Sequence, residues 1–583
     1  MTRIAVIRKE DCHPQRCGNY LCIRVCPINR KGDECIFKAD DSKAGIDEGL
    51  CIGCDICVKK CPFDAISIIN LPEQLDKPPV HRYGRNGFHL YNMPVPVFGK
   101  VVGIIGRNGI GKSTALKIMN GLIIPNLGKE GESTPKELIA FFKGTEVQRF
   151  FEMQRLGKIT MSYKPQHVDL LPKSVQGKVS ALLKKADGAG RLSDIIGKLG
   201  LSHLLDRELS QLSGGELQLV AIAATILKKA NVFIFDEPSS YLDIKQRLKI
   251  SSVIKELATA DTAVIVVEHD LILMDYLADF AYVLYGKETC YGAVSLPKAG
   301  KVGLNSYLSG FLREENIRFR DTAIHFMPAT IHKKPKNPVL TSWEQMKITL
   351  GSFLFSAVAG ELLRNEVVGV VGENGIGKTT FVKLIAGLLT PVSGGVTTPI
   401  SISYKSQYID SSSTDLVSVV LKRAVEKYTV ELIRPLQLEK FLLKQVNEIS
   451  GGELQRVAIA HCLSQDADLY LLDEPSAYLD VEQRLLLAKI LRDFMENHGK
   501  TALIVDHDLL FLDYLCHKLI LVDGTPGKQG ILGSVQDIAS GMNHFLERVE
   551  ITMRRDAETH RPRINKPGSV LDREQKAEGN YYG

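Results

Sequence analysis

The 583-residue sequence contains no run of 18 uninterrupted apolar residues, which excludes an ordinary membrane-spanning helix. Its opening, MTRIAVIRKEDC, has no apolar core of the secretory kind. The chain is therefore expected to be soluble and cytoplasmic, with no membrane attachment. Charge of either sign is in short excess: 73 Lys and Arg stand against 67 Asp and Glu, a net +6, too little by itself to argue for a nucleic-acid ligand. A disordered chain is excluded as well, because 44% hydrophobic and 24% charged residues are globular values. Length alone suggests about four domains.

Cysteine is almost absent after residue 61, where only Cys290, Cys462 and Cys516 follow. The other nine of the 12 are crowded into the first 61 residues, and such clustering in a chain of this kind favours metal ligation over disulfides. Cys51, Cys54, Cys57 and Cys61, with Pro62 behind them, form the bacterial ferredoxin run. Cys12, Cys17, Cys22 and Cys26, followed by Pro27, form a widened version of it. In two-cluster ferredoxins the fourth cysteine of each run serves the other cluster. That rule predicts one 4Fe–4S cluster on Cys12, Cys17, Cys22 and Cys61, and another on Cys26, Cys51, Cys54 and Cys57. Zinc is the competing occupant of four thiolates. Cys35 is left over, by default as a spare thiol. The clusters could carry electrons or serve structure, and no flavin or haem signal accompanies them.

The remainder of the chain repeats itself. SGGELQ at 213–218 returns at 450–455, FDEPSSYLD at 235–243 as LDEPSAYLD at 472–480, and VEHDL at 267–271 as VDHDL at 505–509, all 237 or 238 positions apart. GRNGIGKST at 106–114 returns as GENGIGKTT at 372–380, 266 positions away, so the first copy carries 29 extra residues. The excess falls at about 126–160. There Thr134 and Glu137 have capping-box spacing, Pro135 suits a first helical position, and Gly144 breaks the pattern. Val147, Phe150, Phe151 and Leu156 then return at helical spacing, which predicts a short helix–turn–helix at roughly 134–156.

Both GxxxxGK[ST] motifs follow an apolar strand and open a helix. Gly106, Gly109 and Gly111 let the first loop wrap phosphate, and Gly372, Gly375 and Gly377 do so in the second. Lys112 and Lys378 are placed to reach the β- and γ-phosphates, and Ser113 and Thr379 to ligate Mg²⁺. Asn108, Thr114, Asn374 and Thr380 complete the candidate ATP-binding loops. Each copy also has an apolar strand ending in two acids. Asp236 and Asp473 suit Mg²⁺, and Glu237 and Glu474 suit polarising a water for attack on the γ-phosphate. Tyr83, Phe88 and Phe353 precede the loops and are candidate adenine platforms, with plain packing as the alternative.

These repeats resemble ABC-type ATPase domains. The resemblance implies a head-to-tail pair with two ATP molecules. One site would join Lys112, Asp236, Glu237 and His269 to Ser450, Gly451, Gly452 and Glu453. The other would join Lys378, Asp473, Glu474 and His507 to Ser213, Gly214, Gly215 and Glu216. It further implies that Gln166 and Gln407 sense magnesium and water, and that His269 and His507 are switch histidines.

A ferredoxin-like module ahead of tandem ABC ATPases resembles one family over essentially the whole chain: the ABC class E ATPases, also called RNase L inhibitor or ribosome-recycling factors. CIGCDICVKKCPFDAI at 51–66, NGIGKSTALK at 108–117, DEPSSYLD at 236–243 and RPRINK at 561–566 carry the likeness. The fold class it implies is α/β: an α+β ferredoxin-like iron–sulfur domain at 1–75, then two P-loop ABC-type domains at 76–290 and 341–550. A hinge or linker at 291–340 and a C-terminal hinge segment at 551–583 complete the organisation. The implied activity is Mg-dependent ATP hydrolysis. It would drive ribosome splitting after termination or stalling, with the protein staying on the small subunit. ATP would close the halves and move the iron–sulfur domain, and hydrolysis would reset them. Implied partners are small-subunit rRNA and proteins, a class-one release factor or its Pelota-type relative, and initiation factors, with the protein working as a monomer.

Three other classes fit less well. DNA-repair and chromosome ABC ATPases carry long coiled coils inside one ATPase head, where this chain has 29 residues. A transporter ATPase would leave the cysteine module and the insertion unexplained. A redox enzyme gated by ATP would need an electron acceptor and an ATP-dependent potential.

Overall fold

Val101–Ile105 and Val367–Val371 are apolar at every position but one glycine each, and every residue in them is buried. Strands of that kind belong in the middle of a parallel sheet covered on both faces. The computed structural model, which describes residues 3–72, 75, 77–324, 326, 337–407 and 410–583, places both there. The chain divides into two compact units. One comprises 1–240, 252–269 and 277–323; the other comprises 241–251, 270–276 and 324–583.

In the first unit, Phe280–Lys287, Val101–Ile105, Ala263–Val267, Val232–Asp236 and Met161–Lys164 run side by side in parallel within a nine-stranded sheet of the described residues. The phosphate-loop helix Lys112–Met119 buries Ala115, Leu116, Ile118 and Met119, and its residues join those of the strands in one core. In the second unit, Lys518–Thr525, Val367–Val371, Thr501–Val505, Leu469–Asp473 and Ile402–Lys405 repeat the parallel order, with Lys378–Ile385 as the equivalent helix. These are doubly wound α/β layers, as the duplicated strand–loop–helix pattern implied.

The first sheet extends past the boundary expected at 290. Tyr291–Val294 pairs antiparallel with Phe280–Lys287, and Lys298–Ala299 pairs with the start of that strand. The stretch expected as linker is therefore largely folded: Gly300–Ser309 is a helix that buries Leu304, Tyr307 and Leu308. The linker-like IHKKPKNPV falls mostly on 331–336, outside the described residues.

The N-terminal module pairs Arg3–Ile7 with Ile66–Asn70 and Ile36–Lys38 with Ala44–Ile46, both antiparallel. Its three short helices are Leu21–Val25, Pro27–Arg30 and Ile56–Lys60. Asn86, only 3% exposed, ties this module to the first ATPase copy. Its Nδ2 donates to the carbonyls of Ala5 and Ile46 at 3.0 Å each, and its Oδ1 accepts from Ile46 N–H at 2.9 Å.

The insertion is the expected pair of helices, Pro135–Phe141 and Glu146–Arg155. Thr134 caps the first helix, with Glu137 reaching back to its backbone amide at 2.8 Å, and Phe150 and Phe151 are buried. Leu156 departs from the expected apolar face: it terminates the second helix and is 61% exposed. Thr134→Ala should cost about 1 kcal/mol of local stability, read as faster hydrogen exchange across 134–142 with little change elsewhere.

Among the described residues no helix is long and apolar enough to cross a membrane. The C-terminal residues form a hairpin of Met553–Arg555 with Pro562–Ile564, then the helix Val570–Glu578.

Candidate functional site

Each phosphate loop ends on a glycine in left-handed conformation, Gly111 at φ 95° and Gly377 at φ 98°, and neither helix start receives a side-chain cap. A Cβ at either glycine would come within 2.7 Å of the ring of Phe88 or within 2.6 Å of that of Phe355. The loop is thus pressed against aromatic packing, with the first helical amides facing outward for an anion. The middle glycines, Gly109 at φ 70° and Gly375 at φ 73°, are left-handed as well. Space for a Cβ exists at Gly109, whose nearest neighbours, in Thr289, would lie 3.6 Å away. The turn's left-handed backbone is what calls for glycine there. The Gly109 carbonyl accepts from Thr289 N–H and that of Gly375 from Gly527 N–H, both at 2.9 Å, so each loop is tied to the hairpin beside it. Lys112 Nζ rests on the carbonyls of Gly106 and Arg107 at 2.8 and 2.7 Å, and Lys378 Nζ on those of Gly372 and Glu373 at 3.1 and 2.6 Å. Burial lowers the Lys378 ammonium to about 8. A phosphate would add to the negative charge that Glu474, Asp243 and Asp473 already set near it.

Of the three aromatic candidates, Phe88 and Phe353 touch the loop glycines. Tyr83 is 43% exposed, and its hydroxyl lies 3.3 Å from Thr114 Oγ1.

The strands Val232–Asp236 and Leu469–Asp473 deliver their acids beside these loops. Thr379 Oγ1 donates to Asp473 Oδ2 at 2.8 Å, while Asp473 Oδ1 is buried without a hydrogen-bond partner. A buried, half-satisfied carboxylate beside a threonine hydroxyl fits a divalent cation. Burial, with Glu237 next to it, pushes Asp236 up to about 6, and Tyr163 OH donates to it at 3.1 Å.

Glu237 and Glu474 sit just beyond the strand ends in left-handed backbone, φ 48° and 49°. Their side chains are held alike. Gln166 Nε2 donates to Glu237 Oε1 and Gln407 Nε2 to Glu474 Oε1, both at 2.7 Å. The expected magnesium-sensing glutamines are thus brought to the glutamates in this structure. His269 Nε2 is 3.3 Å from Glu237 Oε1, and His507 Nε2 is 3.7 Å from Glu474 Oε1. The electrostatics differ between copies. Burial opposes ionisation of Glu237, but the bond to His269 and the charges of His269, Lys112 and Lys164 outweigh it and hold the acid at about 2. At Glu474, burial with Asp473 and Asp506 nearby pushes the carboxyl up.

Ser213 and Ser450, which open the two SGGELQ segments, are helix N-caps. Ser213 and Ser450 each form a reciprocal capping box, with Glu216 and Glu453. The two glutamates therefore serve their own helices.

Several residues at these sites were not singled out from sequence. Lys164 and Lys405 are almost wholly buried. They donate to the carbonyls of Asp236 and Glu237 at 2.9 and 3.1 Å, and of Asp473 and Glu474 at 2.8 and 3.3 Å. Gln218 and Gln455 add a bond of 2.7 Å each to the glutamate carbonyls. Their signal was present: YKPQ repeats as YKSQ, and the last residue of SGGELQ is glutamine in both copies. The exchange of Glu268 for Asp506 preserves one job. Either carboxylate accepts from the backbone of Ser239 or Ser476 and from the N–H of the following histidine.

In the N-terminal module none of the cysteines is bonded to another. Burial pushes the Cys22 thiol up to about 11, and Cys12, Cys17 and Cys61 add to it electrostatically. Burial likewise raises Cys57 to about 12, with Cys51, Cys54 and Cys22 adding to it electrostatically. Cys35 is 1% exposed and lies between Cys26 and Cys51, which together with burial raise it to about 12. Cys61 thus acts on Cys12 and Cys22 of the first run, and the crowding of thiols is a donor chemistry suited to iron–sulfur clusters. No group of three or more His, Cys, Asp or Glu among the described residues is arranged to hold a single metal ion.

Two phosphate loops, each with an Asp-Glu strand end, a glutamine, a histidine and an SGGEL helix, define an ABC-type ATPase carrying an iron–sulfur module. The ABC transporter family matches residues 97–240 and 355–477, and the 4Fe-4S binding domain matches 44–67, which favours iron–sulfur over zinc. A possible Fer4-like domain of RNase L inhibitor matches 2–34. An uncharacterized ABC transporter ATP-binding protein of Methanocaldococcus jannaschii is 50% identical, covering 100% of this chain and 97% of that protein. Translation initiation factor RLI1 of Saccharomyces cerevisiae is 41% identical, over 100% of this chain and 98% of that one. A structure of ribosome-bound archaeal Pelota and ABCE1 matches at a TM-score of 0.94 with 50% identity, covering 100% of this chain and 99% of that one. The chain belongs to the ABC class E, or RNase L inhibitor, family of ATPases.

Proposed function

We propose that this protein is an ATP-driven ribosome recycling factor, which splits ribosomes after termination or stalling and stays on the small subunit. The observation that carries the reading is the full-length likeness to ABCE1 in a ribosome-bound structure with Pelota. A complex of an archaeal ribosome recycling factor with ribosomal stalk protein, 47% identical over 87% of this chain at a TM-score of 0.83, supports it.

In this reading two ATP molecules bind, each between the phosphate loop of one copy and the signature serine of the other. Ser113 with Asp236, and Thr379 with Asp473, would hold the magnesium, which would supply charge neutralisation at the transferred phosphate. Glu237 and Glu474 take the proton of the attacking water. Gln166 and Gln407 orient those carboxylates, while His269 and His507 hold them from the other side. Phe88, Phe353 and Tyr83 border the adenine. Cys12, Cys17, Cys22 and Cys61, and Cys26, Cys51, Cys54 and Cys57, would hold two 4Fe–4S clusters, which would stiffen the N-terminal module. ATP-driven closure would move that module against a Pelota-type factor or a class-one release factor. Initiation factors join on the small subunit, and the chain works as a monomer.

A groove of about 380 Å³ on the insertion is lined by Ile139, Ala140, Gln148 and Glu152 together with Lys136, Lys143 and Arg155, and its three cations suit an RNA backbone. The test is a sucrose gradient of the Glu237→Gln/Glu474→Gln protein with purified ribosomal subunits. Co-migration with the small subunit in ATP but not in ADP, weakening as salt rises, is expected. Absence of binding in both nucleotides would overturn the reading.

A further inference from the structure

Asp275 and Asp513 each stand six residues after a switch histidine, 238 positions apart as the histidines are. Each lies on the short helix that follows its histidine, Leu271–Leu277 or Leu509–Leu515. The Asp275 side chain is 4% exposed and that of Asp513 is 9% exposed. Both carboxylates receive their cations from one stretch of chain, residues 553–583. Arg563 Nε meets Asp275 Oδ2 at 2.5 Å. Arg561, fully buried, donates to the Leu271 carbonyl at 3.1 Å and lies 3.5 Å from Asp275. Arg555 forks Asp513 with bonds of 2.7 and 2.9 Å, and the Tyr582 hydroxyl donates to the same carboxylate.

The stretch supplying these groups is stiff. Arg563 is braced by Asp556 at 3.1 Å. Asn565 Nδ2 donates to Thr552 Oγ1 at 2.9 Å, and Thr552 Oγ1 to Asp572 Oδ1 at 2.7 Å, all buried. The opposite end of each switch helix is fixed too: Asp270 meets Arg247 at 3.0 Å and Asp508 meets Arg484 at 2.7 Å. Buried ion pairs add little net stability over well-packed apolar residues. A repeated set of them, at equivalent places after two equivalent histidines, fixes geometry instead.

We propose that the C-terminal segment is a positioning device for both ATP sites: Arg561 and Arg563 set His269 through Asp275, and Arg555 with Tyr582 sets His507 through Asp513. These are positioning residues, acting through Asp275 and Asp513. The proposal rests on the reading of the two histidines as holding Glu237 and Glu474.

The test uses full-length chains in which one site is silenced. Glu474→Gln leaves hydrolysis to the Glu237 site, and Glu237→Gln leaves it to the Glu474 site. Arg563→Gln should slow single-turnover hydrolysis on the order of tenfold in the first background and leave the second nearly unchanged. Arg555→Gln should do the reverse. Affinity for a fluorescent ATP analogue should hold in all four proteins, and Arg563→Lys and Arg555→Lys should recover part of the rate. Equal slowing at both sites, or a lowered melting temperature without site selectivity, would overturn the proposal. A separate control, His507→Ala in the Glu237→Gln chain, isolates the underlying reading. If that change leaves hydrolysis intact, the histidine role fails; if it slows hydrolysis and the arginine variants do not, only the positioning role fails.

Discussion

Chains carrying Glu237→Gln together with Glu474→Gln should lose steady-state ATP turnover by about 10²–10⁴-fold while retaining bound ATP. The substitution is nearly isosteric. Each glutamine can still approach Gln166 or Gln407 and the neighbouring histidine, which now lie 2.7 Å and 3.3–3.7 Å from the carboxylates. What it cannot do is accept a proton from water. Phosphate release measured against nucleotide retained after gel filtration separates the outcomes. Turnover at the parent rate would remove both glutamates from the role of base, and loss of ATP binding would point instead to damaged loops.

The second large effect concerns iron. Anaerobically prepared protein should carry about eight irons, four per cluster, and Cys26→Ser should lower that to about four. The four that remain should belong to the cluster of Cys12, Cys17, Cys22 and Cys61, even though Cys26 lies in the same run as three of those residues. The grouping of thiols around Cys35, which has Cys26 and Cys51 as its neighbours, is the structural ground for that exchange. Iron analysis with electron paramagnetic resonance of the reduced protein reads the result. Loss of the cluster served by Cys12, Cys17 and Cys22, with the other intact, would show that each run binds its own cluster. Stoichiometric zinc in the parent protein would overturn both assignments.

Much of the ATP site was legible in the sequence, because its groups come from short, repeated segments whose spacing is set by one turn of loop or one strand end. Lys112, Asp236 and the signature serines needed no tertiary information. Lys164, Lys405, Gln218 and Gln455 are not legible in the sequence because their partners are main-chain carbonyls about 70 and 20 residues away, and nothing local marks a lysine as buried. Leu156 was misplaced for a related reason: helical spacing predicts a face, but the helix ends at Arg155 and the face ends with it. The stretch after residue 290 looked like linker because its glycines and prolines are turn formers. In the structure those residues flank a helix and a strand held between Phe280–Lys287 and His89–Tyr91, and that pairing decides the matter.

The backbone of Glu237 and Glu474 carries a last consequence. A left-handed conformation costs a residue with a Cβ about 1–2 kcal/mol, while the whole folding free energy of a domain is about 5–15 kcal/mol. Each ATPase copy therefore gives up part of that margin at the glutamate proposed as its base, one of several non-glycine residues held in this conformation. The buried lysine and glutamine that grip its carbonyl are the counterweight, so activity and durability in this fold are adjusted at the same peptide bond.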